Sequence, residues 1–467
     1  MATIRPTRMP TRPNRPITDP RAAALIVLDR VDRGKATLDA ILDDAASELA
    51  GLSRRDRSLF NQLVYGVLRR RLRLDAVVEA YADRPFEKIS PPILNILRIG
   101  LFQILFMDRI PASAAVNTAV NLVRTRKALK AAGFVNALLR NSLRAPDRFC
   151  LPDALDSPVD HTAITHSFPP WLVSRWIERM GVAETDRLCA AMNTIPPITL
   201  RCNRLKNSLS ELANELMDQA EGIDIVDKVP GGINLIRPRC PIPKMKAFIN
   251  GRFAVQDGAA QLVSLLLAPQ PGETVLDACA GLGGKATHLA QIMDNQGTIV
   301  AMDNVPAKLI RLENEAHRLG VSIIHTRHAD LNRPIDADTL PRFDRILLDA
   351  PCSGLGVLRR NPDAKWSSQK ADIARSARRQ ARFLDHLAPL VKKNGVLVFA
   401  VCSMEPEENE GVIKTFLKNH ANFAITGAQS MGEKSVLPFL GEDGFFRSAP
   451  HIDHMDGFFA ARLQCTR

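Results

Sequence analysis

A chain of 467 residues, 46% hydrophobic and 24% charged, has the length for two to four domains and the balance of an ordinary folded protein rather than a disordered one. Its net charge of +12 is concentrated: residues 1–150 carry 26 Lys and Arg against 14 Asp and Glu, while residues 151–467 carry 36 of each, so a polyanion partner is expected for the first third, with a merely basic surface as the plain alternative. The eight cysteines are never closer than the 13 residues between Cys189 and Cys202, and no His/Cys cluster has zinc spacing, which excludes a zinc-finger framework and leaves no metal site expected. Scattered thiols without a secretory signal point to a reducing, cytoplasmic location.

The opening MATIRPTRMPTRPNRP places a flexible basic arm at residues 1–17, because its prolines forbid an amphipathic transit helix. Residues 18–145 show helical periodicity throughout. DPRAAALIVLDRVDRG spaces apolar residues by three and four behind Asp19-Pro20, and RSLFNQLVYGVLRR and SAAVNTAVNLVRTR repeat the pattern, which predicts an all-α bundle. Its most apolar helix, ILNILRIGLFQILFM at 93–107, is interrupted by Asn95, Arg98 and Gln103 and so reads as a core helix, not a membrane span. Basic residues cluster at Arg54–Arg57, at Arg69, Arg70, Arg71 and Arg73, and at Arg124–Lys130; three clusters in one small bundle favour RNA over solvated faces. Residues 146–255 mix patterns: FPPWLVSRWIERMG and SLSELANELMDQA are helical, PPITLRCNRL and INLIRP strand-like, giving a small α+β unit. From 256 to 467 the runs ETVLDACA, GTIVAMD, SIIHTRHA, FDRILLDA and GVLVFAVCS alternate with helical patterns or loops. That order implies a parallel, doubly wound α/β sheet with ligands at the carboxyl ends of its strands, and MDGFFAARLQ adds an antiparallel edge strand.

Asp277, Asp303, Asp330, Asp349, Cys352 and Cys402 all fall at or just beyond those carboxyl ends. In LDACAGLGGKATHLA, Gly281, Gly283 and Ala286 satisfy the G-x-G-x-x-G/A fingerprint, and Asp303 ends the next strand where it can accept from two ribose hydroxyls. This pattern serves NAD and S-adenosylmethionine equally, so a nucleotide-dependent oxidoreductase stays open, as does a turn that only packs helix on sheet. Asp277 suits a cationic amino group and would repel a pyrophosphate. Cys352, in LLDAPCSGLG at 347–356, stands where amino-directed methyltransferases carry an Asp-Pro-Pro-aromatic turn. A thiol suits a different target: C5 of a pyrimidine is a poor nucleophile, and a thiolate added to C6 turns the ring into an enamine that can attack a methyl sulfonium. FAVCSMEPEENE supplies a second thiol, Cys402, before a helix expected from about Pro406. The positive end of that helix favours a thiolate, and Glu405, Glu407 and Glu408 oppose it. Position alone favours Cys352 as nucleophile, since Pro-Cys carries that role in DNA cytosine methyltransferases.

From about 160 to 467 the chain resembles the Sun/Nop family of RNA (cytosine-C5) methyltransferases, in DACAGLGGKATH, AMD at 301–303, HAD at 328–330, LLDAPCSGLGVLRRNPD, VCSMEPEENE and FAVQDGAAQL at 253–262. Residues 18–145 are similar to the RNA-binding antitermination factor NusB, in RSLFNQLVYGVLRRRLRLD and VNTAVNLVR…GFVNALLR, a pairing typical of the bacterial ribosomal small-subunit methyltransferase B type. The resemblance implies a multidomain chain: a NusB-like helical bundle at 18–145, an RNA-recognition-like α+β extension at 146–255, and a Rossmann-like class I methyltransferase domain at 256–467. It implies S-adenosylmethionine as cofactor and 5-methylcytosine in 16S ribosomal RNA as product, made on the RNA or a small-subunit assembly intermediate by a monomer with no membrane partner. Carried over by position, Cys279, Ala280, Gly281, Leu282, Gly283, Gly284 and Lys285 would wrap the methionine end of the cofactor. Asp303 would take the ribose hydroxyls and Asp330 the adenine amino group, while Asp349 would lie between cofactor and cytosine. The family pattern makes Cys402 the nucleophile and Cys352 its helper. Departures are Gly281-Leu282 where Ala-Pro is usual, Ala286 for a hydroxyl residue, Val401 for Thr and Lys308 for Arg. A catalytically impaired RNA-binding or ribosome-assembly factor of the same fold is the competing class.

Overall fold

The computed structural model describes residues 17–126, 128–335, 339–426 and 434–466; all but the last residue of the expected basic arm, and Lys127 of the third basic cluster, lie outside the described residues. The chain gathers into two units, one of residues up to Cys189 together with Asn361–Ser367, the other of Ala190–Arg360 and Ser368–Arg467.

The first unit is helical. Asp19 caps Pro20–Val31, its carboxylate accepting from Arg21 N at 2.9 Å with Pro20 in the first turn. Helices Leu38–Asp44, Arg54–Arg69, Arg71–Tyr81, Pro91–Phe106, Ala112–Thr125 and Ala132–Arg144 follow, then Pro158–His166 and Pro170–Met180. The apolar helix Pro91–Phe106 runs through the core, and its polar interruptions are all bonded. Arg98, 3% exposed, grips Asp75 with two bonds of 2.6 and 2.8 Å and donates to Asn95 at 2.9 Å. Asn95 in turn donates to Asp29 and Asp32, each at 3.0 Å, and Gln103 accepts from Arg21 at 2.7 Å. These residues tie the central helix to its neighbours, which is how a core helix accommodates them. Residues 361–367 join this unit through Asp363, which accepts from Leu38 N, and Trp366, which donates to Leu68 O, both at 2.9 Å. Among the described residues no helix is long and apolar enough to cross a membrane.

The second unit holds two sheets. Strands β1 (Ile198–Cys202), β2 (Ala220–Ile225), β3 (Gly232–Pro238) and β4 (Phe253–Val255) pair antiparallel in the order β2-β3-β1-β4. The sequence pattern shows β1 and β3 but misses β2, whose AEGIDI is largely exposed, and β4, too short at three residues to alternate. The helix Leu209–Met217 opens on a capping box in which Ser208 and Glu211 bond each other's backbone. The larger sheet contains β5 (Thr274–Asp277), β6 (Thr298–Asp303), β7 (Ile324–His328), β8 (Phe343–Asp349), β9 (Val391–Val401), β10 (Phe423–Ile425), β11 (Phe446–Ser448) and β12 (Phe458–Cys465). Its order is β10-β12-β9-β8-β5-β6-β7, with β11 paired to β12. Strands β5 to β9 are mutually parallel; β5, β6, β8 and β9 carry buried apolar runs, as expected for strands covered on both faces, while β7, IHTRH, at the end of the order is polar and half-exposed. The expected edge strand, β12, is antiparallel to β9 but lies inside the sheet, because β10 and β11 pair with it beyond. Its burial across both faces, from Phe458 to Leu463, is that of an interior strand.

Breaking a buried charged pair by deleting one partner leaves the other uncompensated, at about 3–5 kcal/mol. Arg98→Ala should therefore lose roughly that much stability in chemical denaturation, far more than Asp83→Ala, which breaks only the exposed pair with Arg84.

Candidate active site

The parallel register of β8 and β9 sets Asp349 opposite Ala400, so both chains leave the sheet at one level. Ala350 continues the ladder, its N–H reaching Ala400 O at 2.8 Å, and Gly356 N donates to Cys402 O at 2.9 Å. Gly356 has no room for a side chain, since a Cβ would sit 2.0 Å from Gly457 O. Within this clasp the sulfurs of Cys352 and Cys402 lie 3.3 Å apart. The sequence places the two cysteines fifty residues apart; the sheet makes them neighbours. A hydrogen bond to Cys402, burial and the nearby Glu408 hold the Cys352 thiol well above the ordinary thiol range.

The helix expected from about Pro406 begins later, at Glu410. Residues 405–409 form turns instead, with Glu408 N bonded to Glu405 O and Asn409 N to Pro406 O. The positive end of that helix is thus set back from Cys402, and its dipole, which decays within the first turn, contributes little there.

Around the thiols stand the acids of the neighbouring strands. Lys285, from the helix Gly284–Ile292, donates to Asp349 at 2.5 Å and lies 5.2 Å from the centre of the Phe458 ring. Burial pulls this ammonium down, but Asp349, with Asp277 and Cys402 behind it, more than offsets burial and the net shift is upward. Asp277, 1% exposed at the end of β5, has no hydrogen-bond partner on either carboxylate oxygen; the Cys279 amide pulls on it weakly from outside hydrogen-bonding geometry. Burial, then the charge of Asp349, pushes Asp277 up to about 7. A buried carboxylate without a donor is an open socket for a cation.

The glycine turn is shaped for close approach. Gly281 and Gly283 have φ of 56° and 85°, and a Cβ on Gly283 would meet Leu312 at 2.5 Å. Asp303 accepts from Gly281 N at 3.0 Å and from Val305 N at 2.8 Å, which fixes its carboxylate across the turn. The Asp330 carboxyl is held below its usual range by bonds from the Asn332 backbone and side chain. A cleft of about 320 Å³ brings together Cys279, Gly281, Asp303, Asp330, Asp349, Cys352 and Cys402. The other turn residues stand back from it: Ala280 is buried, Leu282 is half exposed, Gly283 and Gly284 lead into the helix, and Lys285 reaches in only to hold Asp349. Arg379 and Phe383 also line the cleft, from the helix Lys370–Leu387. Sequence reasoning misses them, because RSARRQARFLDHL offers many basic residues and nothing that singles one out. It misses Arg201 too: buried on β1, this guanidinium donates to Gln256, to Gly284 O at 2.6 Å and to Thr287 at 2.9 Å, supporting the glycine turn from the smaller sheet.

Three families account for most of the length: the NusB family at residues 18–144, a ferredoxin-like domain found in RsmF/B-like methyltransferases at 168–243, and the 16S rRNA methyltransferase RsmB/F family at 264–464. Across the whole chain it is similar to a probable ribosomal RNA small subunit methyltransferase B from Synechocystis, 37% identical over 95% of this chain and 99% of the relative. A protein of the same description from Bacillus subtilis is 35% identical over 96% of this chain and 99% of its own. Among solved structures, the crystal structure of PH0851 matches with a TM-score of 0.77 and 25% identity, covering 96% of this chain and 99% of that one.

The socket at Asp277 has a cost with a definite sign. Between about pH 4 and 7 the unfolded chain releases this proton while the folded chain keeps it, so stability falls as pH rises through that window and the loss is complete above it. Asp277→Asn carries no such loss and should be the more stable protein at pH 8, by roughly 2–4 kcal/mol. Thermal melts compared at pH 8 and pH 4 check this, since the advantage should vanish at the lower pH.

Proposed function

The chain belongs to the RsmB/F family of 16S rRNA methyltransferases, and from that premise we propose that it transfers a methyl group from S-adenosylmethionine to C5 of a cytosine in 16S ribosomal RNA through a covalent bond between Cys402 and C6 of the base. One observation carries the reading: two thiols 3.3 Å apart at the rim of a glycine- and acid-lined cleft that also contains Asp349. A methyl donor alone needs one pocket, whereas paired thiols beside it serve a base that must be activated by addition and released by elimination.

S-adenosylmethionine supplies an electrophilic methyl group when bound. The open socket at Asp277 suits its cationic amino group, the glycine turn from Cys279 to Lys285 its methionine end, Asp303 the ribose hydroxyls and Asp330 the adenine amino group. Asp349, anchored by Lys285, has acceptor capacity left for the exocyclic amino group of cytosine, the donor that marks this base. Cys402 adds to C6 and makes C5 nucleophilic. After methylation the C5 proton must leave as the Cys402–C6 bond breaks, and Cys352, in contact with Cys402 and three residues from Asp349, is the group placed to take it, as a thiolate, once its own proton has passed to solvent. The basic helical unit at 18–145 would grip the phosphate backbone and the four-stranded sheet would contact the RNA on its own account, in the cytoplasm where ribosomal RNA is found.

The two cysteines separate in one experiment. Cys402→Ala should be inactive and form no adduct, whereas Cys352→Ala should accumulate a denaturation-resistant protein–RNA complex, read on a denaturing gel after incubation with substrate RNA and cofactor. A trapped band with Cys402→Ala instead would reverse the roles. For the cofactor, Asp303→Ala should weaken S-adenosylmethionine by roughly 10- to 100-fold in calorimetry, through loss of charged hydrogen bonds. Unchanged affinity would remove Asp303 from the ribose site.

A further inference from the structure

Glu408 takes no part in the chemistry above, yet its side chain is completely buried and bridges the two thiol-bearing turns. It accepts from Ser353 N at 2.8 Å, from Ser353 Oγ at 2.5 Å and from Ser403 Oγ at 2.5 Å, with a weaker bond from Gln380 Nε2 at 3.4 Å. Ser353 and Ser403 are the residues that directly follow Cys352 and Cys402. One carboxylate therefore holds the residue after each sulfur, Ser353 by its amide and hydroxyl and Ser403 by its hydroxyl. All four donors are neutral, and among the described residues no Lys or Arg forms an ion pair with it. A neutral acceptor would satisfy the same serines without the cost of burying a charge, so the charge itself calls for a role.

We propose that Glu408 is a positioning residue that clamps the two thiols into contact and, by placing its negative charge on the Cys352 side, keeps their shared proton on Cys352 so that Cys402 is the sulfur that reacts. Two of its bonds come from Ser353 and one from Ser403, which sets the charge toward Cys352. The upward shift of the Cys352 thiol, to which Cys402, burial and Glu408 all contribute, agrees. Lys285, bonded to Asp349 at 2.5 Å, is the nearby cation, and Cys402 is among the groups that raise its pKa. The other ionisable groups lining the cleft with the pair are Asp349, bonded by Lys285, Arg379, which donates to Pro351 O at 3.2 Å, and Cys279, Asp303, Lys308 and Asp330. The inference rests on reading Cys402 as the nucleophile, but its test does not pass through methyl transfer.

The test is the rate of alkylation of each cysteine by limiting iodoacetamide in the full-length protein, kept reduced with a phosphine and followed by peptide mass spectrometry from pH 6 to 10. In the parent, the Cys402 profile should rise at lower pH than that of Cys352, and at pH 7.5 the rate ratio should be roughly tenfold or more, one pH unit of separation being a factor of ten. Glu408→Gln should draw the two profiles together, and Glu408→Asp, which keeps the charge, should restore most of the gap. An undiminished gap in Glu408→Gln would overturn the proposal, as would a parent in which Cys352 reacts at the lower pH. That second outcome is read from the parent alone and stands even if Glu408→Gln fails to fold by circular dichroism. Should the RNA adduct prove absent while the alkylation pattern holds, the methyl-transfer reading fails and the role of Glu408 does not.

Discussion

The pairing of β8 with β9 is the constraint on which the site depends. Parallel strands in register deliver their carboxyl ends to one level, and here that places Asp349 opposite Ala400. The chain then has one residue, Val401, before Cys402 and two, Ala350 and Pro351, before Cys352 in which to bring two sulfurs together. The clasp from Gly356 to Cys402 O and the missing side chains at Gly356 and Gly457 make the approach possible. A slip of one residue would turn every side chain of β9 to the opposite face and separate the thiols. The apolar burial of both strands is thus the energetic foundation of the chemistry as well as of the fold.

Charge around the thiols is arranged by subtraction. Three carboxylates, Asp277, Asp303 and Asp349, approach one another from neighbouring strands, and Lys285 neutralises only one of them. Two residues of backbone satisfy Asp303, and Asp277 is left without any donor. A protein selected for stability alone would not keep such a carboxyl in its core; a protein that must receive a cation there would. Cys352 fits the same logic. Much of what holds its proton is the neighbouring sulfur, a contribution that the proposed bond from Cys402 to carbon would remove. In that proposal the Cys352 thiol would then release its proton to solvent and, as a thiolate, serve as the base at the stage when one is required.

Much of this was legible in the sequence. Strand–helix alternation fixes which residues sit at strand ends, and a parallel sheet gathers strand ends on one edge, so four acids and two cysteines could be named as neighbours without coordinates. What the pattern could not show was decided by partners distant in the chain. The helix expected from Pro406 gives way to turns because Glu408 is spent on serines from two strand ends. Strand β12 looks like an edge until β10 and β11, too short to announce themselves, are seen beyond it. Glu408 was visible as one acid in an acidic run, and nothing local marks it, with Glu405, as buried while Glu407 is exposed. Arg98 is similar: its position in an apolar helix is plain, but its meaning lies in Asp75, on another helix.

Arg201 carries a consequence for how such a chain can be rebuilt. The regions matched by separate families, the ferredoxin-like stretch and the catalytic stretch, look like interchangeable modules. Yet the guanidinium of β1 has its hydrogen bonds on Gln256, Gly284 and Thr287; losing the catalytic stretch would take the Gly284 and Thr287 acceptors from it, and losing the ferredoxin-like stretch would take the donor from them. The seam visible in sequence is therefore not a seam in cooperativity. Recombination at that boundary, natural or engineered, would have to inherit both halves of the Arg201 contact together, so the two stretches travel as one heritable piece.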